Sequence, residues 1–311
     1  MKQSFYYNSQ GFGQIHGILW LPEGEVKAVV QIVHGIAEHM ERYDHFARFL
    51  NGHGMAVVGE DHMGHGKSIG DNGIRGYFHG GWQTAVGDTY QLLLDTKAQF
   101  PKVPYILLGH SMGSFMARTI LAEYPDSGID GCILSGTAWQ PDGMMKIGPF
   151  AANLMCRFIG EKKCSQKIYN MIFGGFNSKV EYARTGSDWL SRDPQVADAY
   201  EADPLCGFIP TAGLFRDMMV GFAYIQNPNN LRQMNKNLPV FFVAGEADPV
   251  GNYGTGVRET ASRFQQIGMT QVALKLYPLC RHEILNELNK EQVYQDLLNW
   301  ILAIIKQGEG L

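Results

Sequence analysis

Ser111 stands in Gly109-His110-Ser111-Met112-Gly113, a G-x-S-x-G pentad between the apolar run Tyr105-Ile106-Leu107-Leu108 and a helical pattern from Ser111 to Tyr124. On so sharp a strand-to-helix turn the serine hydroxyl is held out at the end of the strand, and the flanking glycines let strand and helix approach. The helix start also aims free amide N–H groups and the positive end of its dipole at the serine. Serine is a weak nucleophile near neutral pH and needs a base within hydrogen-bond reach. Turns of this type take their partners in the chain order serine, acid, histidine, from loops after later strands. Asp248 is the acid this order selects, in the loop after Val240-Phe241-Phe242-Val243-Ala244-Gly245. Glu246 competes, but Asp248-Pro249 fixes a turn farther beyond the strand. His282 follows the last strand and is the base. The set predicts acyl transfer, with His282 taking the Ser111 proton and returning it to the leaving group while Asp248 holds the tautomer.

An oxyanion needs donors as well. Val33-His34-Gly35-Ile36-Ala37-Glu38-His39 follows an early strand, where such a loop supplies one backbone N–H and the residue after the serine supplies the other. The expected donors are the amides of Ile36 and Met112. His34, His39, His62, His65 and Asp61 match no common zinc spacing, so no metal is expected, and Asp61-His62-Met63-Gly64-His65-Gly66-Lys67-Ser68 reads as a tight hydrogen-bonded loop beside the site. No cofactor is called for.

These side chains need a rigid frame. Short apolar runs at Gln14–Leu21, Ala28–Val33, Met55–Gly59, Tyr105–Leu108, Ile129–Leu134, Pro239–Ala244 and Gln271–Tyr277 alternate with helical patterns at Tyr43–Asn51, Trp82–Phe100, Ser111–Tyr124, Thr255–Gln266 and Lys290–Lys306. That rhythm predicts an α/β class with a mostly parallel central sheet flanked by helices. From residue 137 to 236 it lapses, and seven methionines (144, 145, 155, 171, 218, 219, 234) fall there. The expected organisation is a core of residues 1–136 and 237–311, with a helical cap of residues 137–236 inserted after the sixth strand. The 311 residues are 45% hydrophobic and 18% charged, with a net charge of −4 and no basic cluster. Nucleic acid is therefore not an expected partner. The five cysteines show no C-x-x-C spacing and read as reduced thiols. The N-terminal residues lack a signal-peptide pattern, and no run nears the roughly 20 apolar residues that span a bilayer. A cytoplasmic location follows as the expectation, with peripheral visits to membranes through the cap. Oligomeric state is not legible.

Val33 to Tyr43, Asp61 to Ser68, Gly109 to Gly113, Asp248-Pro249 and Arg281-His282-Glu283 together resemble the monoacylglycerol lipase and lysophospholipase family, which overlaps with serine aminopeptidase-like hydrolases. The resemblance runs from about Gly13 to Leu302 and is weakest in the cap. It implies the α/β-hydrolase fold, a small-molecule acyl ester or lipid as substrate, and cleavage of a fatty acyl ester from glycerol or a lysophospholipid. A short-chain carboxylesterase or a serine aminopeptidase is the alternative. It also places Arg42 near the polar end of the substrate pocket, with Glu38 as its partner; read from the residues alone, the pair is an ion pair steadying the oxyanion loop. Ile36 departs from the small residue frequent in the family's lipases and would narrow the acyl entrance.

Overall fold

Apolar residues fill both faces of the central strands, which is why their runs are continuous rather than alternating. The computed structural model of the chain describes residues 1–71 and 73–309. Among the described residues eight strands form one sheet: β1 (Lys2–Asn8), β2 (Gln14–Trp20), β3 (Ala28–Val33), β4 (Met55–Glu60), β5 (Tyr105–His110), β6 (Gly131–Ser135), β7 (Val240–Gly245) and β8 (Val272–Tyr277). Their order is β1-β2-β4-β3-β5-β6-β7-β8. Strand β2 is antiparallel to both its neighbours, and from β4 onward all pairings are parallel.

Ten helices accompany the sheet among the described residues: α1 (Asp44–Asn51), α2 (Gly81–Gln99), α3 (Met112–Glu123), α4 (Asp142–Ile159), α5 (Gln166–Phe173), α6 (Pro194–Ala202), α7 (Ala212–Gln226), α8 (Pro228–Leu231), α9 (Thr255–Gln266) and α10 (Lys290–Glu309). Side chains alternate across the strands, as a period of two requires. In β7, Val240, Phe242 and Ala244 join the layer built with α2, α3, α7 and α9, whereas Phe241 and Val243 join the layer under α1 and α10. This is the α/β architecture expected from the sequence, with α4 to α8 inserted after the sixth strand.

Only five of the runs read from the sequence precede that insertion; β1 completes the six. It was missed because it is an exposed edge strand, mostly solvent-facing along its length, and so carries no continuous apolar signal. The insertion is tied at both ends by Arg118 of α3, which is fully buried. It donates to Ala138 O at 2.8 Å and to Ile225 O at 3.4 Å. Without a carboxylate partner, burial pushes its pKa down to about 9.

Phe242 is fully buried and meets Phe264 of α9 edge-on at 5.2 Å. Phe242→Ala should cost about 3–5 kcal/mol of unfolding free energy, read from urea denaturation; a loss under about 1 kcal/mol would mean that the sheet–helix layer is not packed as described.

Candidate active site

The carboxyl ends of the parallel strands meet at one edge, where open sheets of this kind gather ligands. Ser111 follows β5 there with φ 52° and ψ −122°, a conformation that costs a non-glycine residue about 1–3 kcal/mol. Its surroundings impose it. Ser111 N–H donates to Ser135 O of β6 at 2.9 Å, and Ser111 O accepts from Ser114 N–H at 2.8 Å and Ser114 Oγ at 2.6 Å. A Cβ on Gly109 would lie 2.5 Å from Gly113 O, and one on Gly113 would collide with the Val33 carbonyl of β3. The pentad's glycines are thus required by contact between strand and helix.

Asp248 follows β7 and is fully buried. Its Oδ1 accepts from Val250 N–H at 2.8 Å, and its Oδ2 lies 2.9 Å from His282 Nδ1. Glu246 is solvent-exposed, so the competing carboxylate points away. His282 follows β8. With Nδ1 committed to Asp248, Nε2 is the nitrogen left for Ser111, and both residues line one narrow cavity of about 30 Å³. Among the described residues no hydrogen bond joins Ser111 Oγ to His282. Burial opposes a charge on His282, but the Asp248 carboxylate and its hydrogen bond outweigh it and raise the pKa above the ordinary value. Neighbouring His110, with ring centroids 4.7 Å apart, is pushed down to about 4 by burial and by His282, so it stays neutral beside the pair.

Ile36 lines the same cavity, and Met112 opens α3 directly after Ser111. Among the described residues neither amide has a hydrogen-bond partner within the protein. The turn between them is tight: Gly35 N–H donates to Glu38 Oε1 at 2.6 Å, and Ala37 adopts φ 56°. The Asp61–Ser68 loop braces it as expected, with Asp61 Oδ1 accepting from Met40 N–H at 2.8 Å and Oδ2 from Lys67 N–H at 2.9 Å.

Arg42 does not line the cavity. Its guanidinium donates to Glu38 Oε2 at 2.7 Å and bidentately to Glu283, at 2.6 and 2.7 Å. Tyr43 OH adds a bond to Glu38 Oε1 at 2.9 Å. Burial alone would raise the Glu283 carboxyl; Arg42 instead holds it well below its usual range. The geometry favours the ion-pair reading of Glu38 and Arg42 over direct substrate contact. Glu283 went unassigned in the sequence, though its place beside His282 was the available signal. The cap also supplies wall residues from segments 188–193 and 203–208, which resemble parts of the family but to which the sequence assigns no role. The Trp189 ring lies 5.1 Å from His282, Trp189 O accepts from His282 N–H at 3.3 Å, and Leu190 O accepts from Glu283 N–H at 2.7 Å. Tyr200 OH and Gly207 N–H both donate to Ala37 O, at 2.9 and 3.0 Å. A larger cavity of about 520 Å³, between Tyr6, Phe12, Lys67 and His79, contains none of these residues; size alone does not locate the site.

A serine on a left-handed strand-to-helix turn, with an acid after β7 and a paired histidine after β8, defines an α/β-hydrolase. The family model described as serine aminopeptidase, S33 matches residues 24–289, and the chain belongs to that family. It is 29% identical to the monoacylglycerol lipase of Mycolicibacterium smegmatis, over 92% of this chain and 91% of that one. It is also 29% identical to the monoglyceride lipase of Mus musculus, over 91% and 84%. The solved structure of a thermostable carboxyl esterase from Bacillus coagulans, in complex with glycerol, superposes with a TM-score of 0.90 at 30% identity, covering 98% of this chain and 99% of that one. These relatives are lipases and esterases, and ester hydrolysis is the class of activity the kinship supports. No helix among the described residues is long and apolar enough to cross a membrane.

Arg42→Met would leave Glu38 and Glu283 as two buried carboxylates without a cation, at a cost of about 3–5 kcal/mol near neutral pH. The pH dependence should invert. In the native chain the depressed Glu283 pKa contributes stability that is present above the unfolded carboxyl pKa and lost as pH falls through the folded value. In the variant burial raises the Glu283 carboxyl pKa, so stability falls as pH rises through it. Denaturant unfolding from pH 4 to 8 checks this; parallel curves for both proteins would refute it.

Proposed function

We propose that the chain hydrolyses the carboxylic ester of an uncharged acyl glycerol, of the monoacylglycerol type, through an acyl-enzyme on Ser111. The Nδ1–Oδ2 pairing of His282 with Asp248 at 2.9 Å, beside a serine forced into the nucleophile turn, carries this reading. His282 Nε2 takes the Ser111 proton as Oγ attacks the ester carbonyl. The amides of Ile36 and Met112 receive the developing oxyanion. His282 then gives its proton to the departing glycerol oxygen, and water repeats the sequence on the acyl-enzyme. Arg42, through Glu38 and Glu283, is a positioning residue for the two loops. The cap, residues 137–236, sits on a core of residues 1–136 and 237–311.

The choice of acyl acceptor rests on charge. Glu38 and Glu283 line the cavity, and no Lys or Arg does among the described residues. A lysophospholipid phosphate would meet carboxylates with no cation to pair it, which a buried anion needs. Neutral glycerol does not. The alternative, hydrolysis of an aminoacyl amide, is less well served: Glu201 is exposed, lies outside the cavity lining and reaches it only by accepting from the cavity residue Ser187 at 2.6 Å.

Lipid-sized ligands need pockets of about 300–1,000 Å³, so the cap must move to admit one. Met144, Ile147, Phe150, Leu154 and Phe158 are exposed at helical spacing along α4. Lys146, Arg157, Lys162 and Lys163 are exposed around them. Such a stripe suits transient contact with a lipid surface.

Monoacylglycerol should be turned over at least about tenfold faster, by kcat/KM, than lysophosphatidylcholine or an aminoacyl amide. A preference for either of the latter overturns the acceptor assignment. Ser111→Ala should lose fluorophosphonate labelling and more than about 10⁴ in kcat. Asp248→Asn should cost about 10⁴ in kcat and move the ascending limb of the residual pH profile to lower pH, because the carboxylate that raises the His282 pKa is gone while the burial that lowers it stays. A limb left in place would remove Asp248 from its role. Phe158→Glu should slow micellar monoacylglycerol turnover severalfold and leave a soluble short ester untouched.

A further inference from the structure

The fold brings together three side chains that sequence spacing keeps apart. His39 Nε2, on the loop that carries Ile36, lies 2.8 Å from Asp203 Oδ2 in the cap, and these atoms and Cys206 Sγ all fall within 4.8 Å of one another. His39 and Cys206 are 6% and 8% exposed, so the donors converge in a sheltered spot. We propose that His39, Asp203 and Cys206 form a three-ligand site for a borderline-soft divalent cation, Zn²⁺ above all, which staples the cap to the oxyanion loop.

The donor chemistry fits the ion. Imidazole nitrogen, thiolate sulfur and carboxylate oxygen are the ligand types that Zn²⁺ takes in tetrahedral sites, and three protein ligands leave the fourth position to water. On binding, the proton of the His39 Nε2–Asp203 hydrogen bond moves to His39 Nδ1, or to solvent if Nδ1 is already protonated, Nε2 and the carboxylate take the metal in its place, and Cys206 releases its thiol proton to solvent as sulfur coordinates. The local charge favours a dication. The charged groups acting on Cys206 are Arg42 against Glu38, Asp203 and Glu283, one cation facing three anions. Burial raises the Cys206 thiol above its ordinary range, so sulfur stays protonated until a metal displaces the proton.

The position gives the site a consequence. Ala37 O already holds the cap through Tyr200 OH and Gly207 N–H. A metal between His39 and the Asp203–Cys206 turn adds a stronger link across the same seam, beside the cavity wall formed by Gly207 and Phe208. No spacing rule could find it, because 164 residues separate His39 from Asp203. It also differs from the His34, His39, His62, His65 and Asp61 set weighed from the sequence: His62 Nε2 donates to His34 O at 3.1 Å, and Asp61 is held by the loop contacts given above.

The test is a cadmium titration of the full chain, reduced and freed of metal, in a Cys164→Ser background that removes the exposed thiol. The ultraviolet thiolate-to-cadmium charge-transfer band should rise to one equivalent and be bleached by Zn²⁺. Cys206→Ser should abolish it, and Asp203→Asn and His39→Gln should each weaken Cd²⁺ binding at least about tenfold, the low end of what losing even an outer partner of a metal ligand costs. Thermal melting in chelator confirms that each variant is folded; if Cys206→Ser is not, the other two variants decide. Absence of the band, or a band that survives Cys206→Ser, overturns the proposal. So does a band that needs Cys206 but ignores both Asp203→Asn and His39→Gln, which is an ordinary thiol beside a hydrogen-bonded pair. The readout is optical, so its failure leaves the ester-hydrolase reading intact, and the reverse holds.

Discussion

Two loops at opposite sides of the site are held by one largely buried guanidinium. Arg42 bonds Glu38, whose other oxygen fixes Gly35 N–H, and it also clasps Glu283, the residue beside His282. The first loop follows β3 and the second follows β8, with β5, β6 and β7 lying between them in the sheet. The loop that presents Ile36 and the loop that presents the imidazole are thus coupled through one cation. Glu38 and Glu283 are nearly inaccessible to water, where an unpaired carboxylate would be strongly disfavoured. The arrangement therefore resists partial loosening: moving either loop strands a charge. This all-or-none character lets a hydroxyl, an imidazole and two amides keep their relative places across three strand ends.

The elements that carry this arrangement were legible to different degrees, for physical reasons. Strands buried on both faces announce themselves as continuous apolar runs, so β3, β5, β6 and β7 were readable. The pentad was readable because its glycines answer to contacts that admit no side chain. Asp248 and His282 followed from chain order and from their place after strands; the burial of Asp248 and the exposure of Glu246 give the physical reason for that choice. Strand β1 was not readable, since an edge strand facing water lacks the pattern. The Arg42–Glu38 ion pair was readable at i, i+4, but its second partner was not, because Glu283 lies 241 residues away. The wall that the cap lends to the site was silent for the same reason. Trp189, Leu190 and Gly207 act largely through backbone atoms, and a backbone carbonyl leaves no mark on residue identity.

That backbone wall divides the cap into parts with different freedom. The segment around Trp189, Leu190, Tyr200 and Gly207 is bonded to the histidine loop and to Ala37 O, and Arg192 extends the attachment to Glu287 at 2.9 Å. Displacing it would break the supports of the loop after β3 and of His282 together. The α4–α5 hairpin is attached differently. Its contacts to α7 include Cys156 Sγ–H to Ala212 O at 3.1 Å, Ala212 N–H to Lys163 O at 2.9 Å, Gly213 N–H to Glu161 O at 2.8 Å and the Arg216–Glu161 ion pair, and Phe173 of α5 packs on Trp189. Its outer surface exposes Ile147, Phe150 and Phe158. On the proposed lipid-ester reading, a cavity of about 30 Å³ cannot hold the acyl chain, so part of the cap has to move. Apolar surface exposed on α4 lowers the cost of such a movement when it meets lipid instead of water, which on the proposed reading couples access to the serine to a lipid surface.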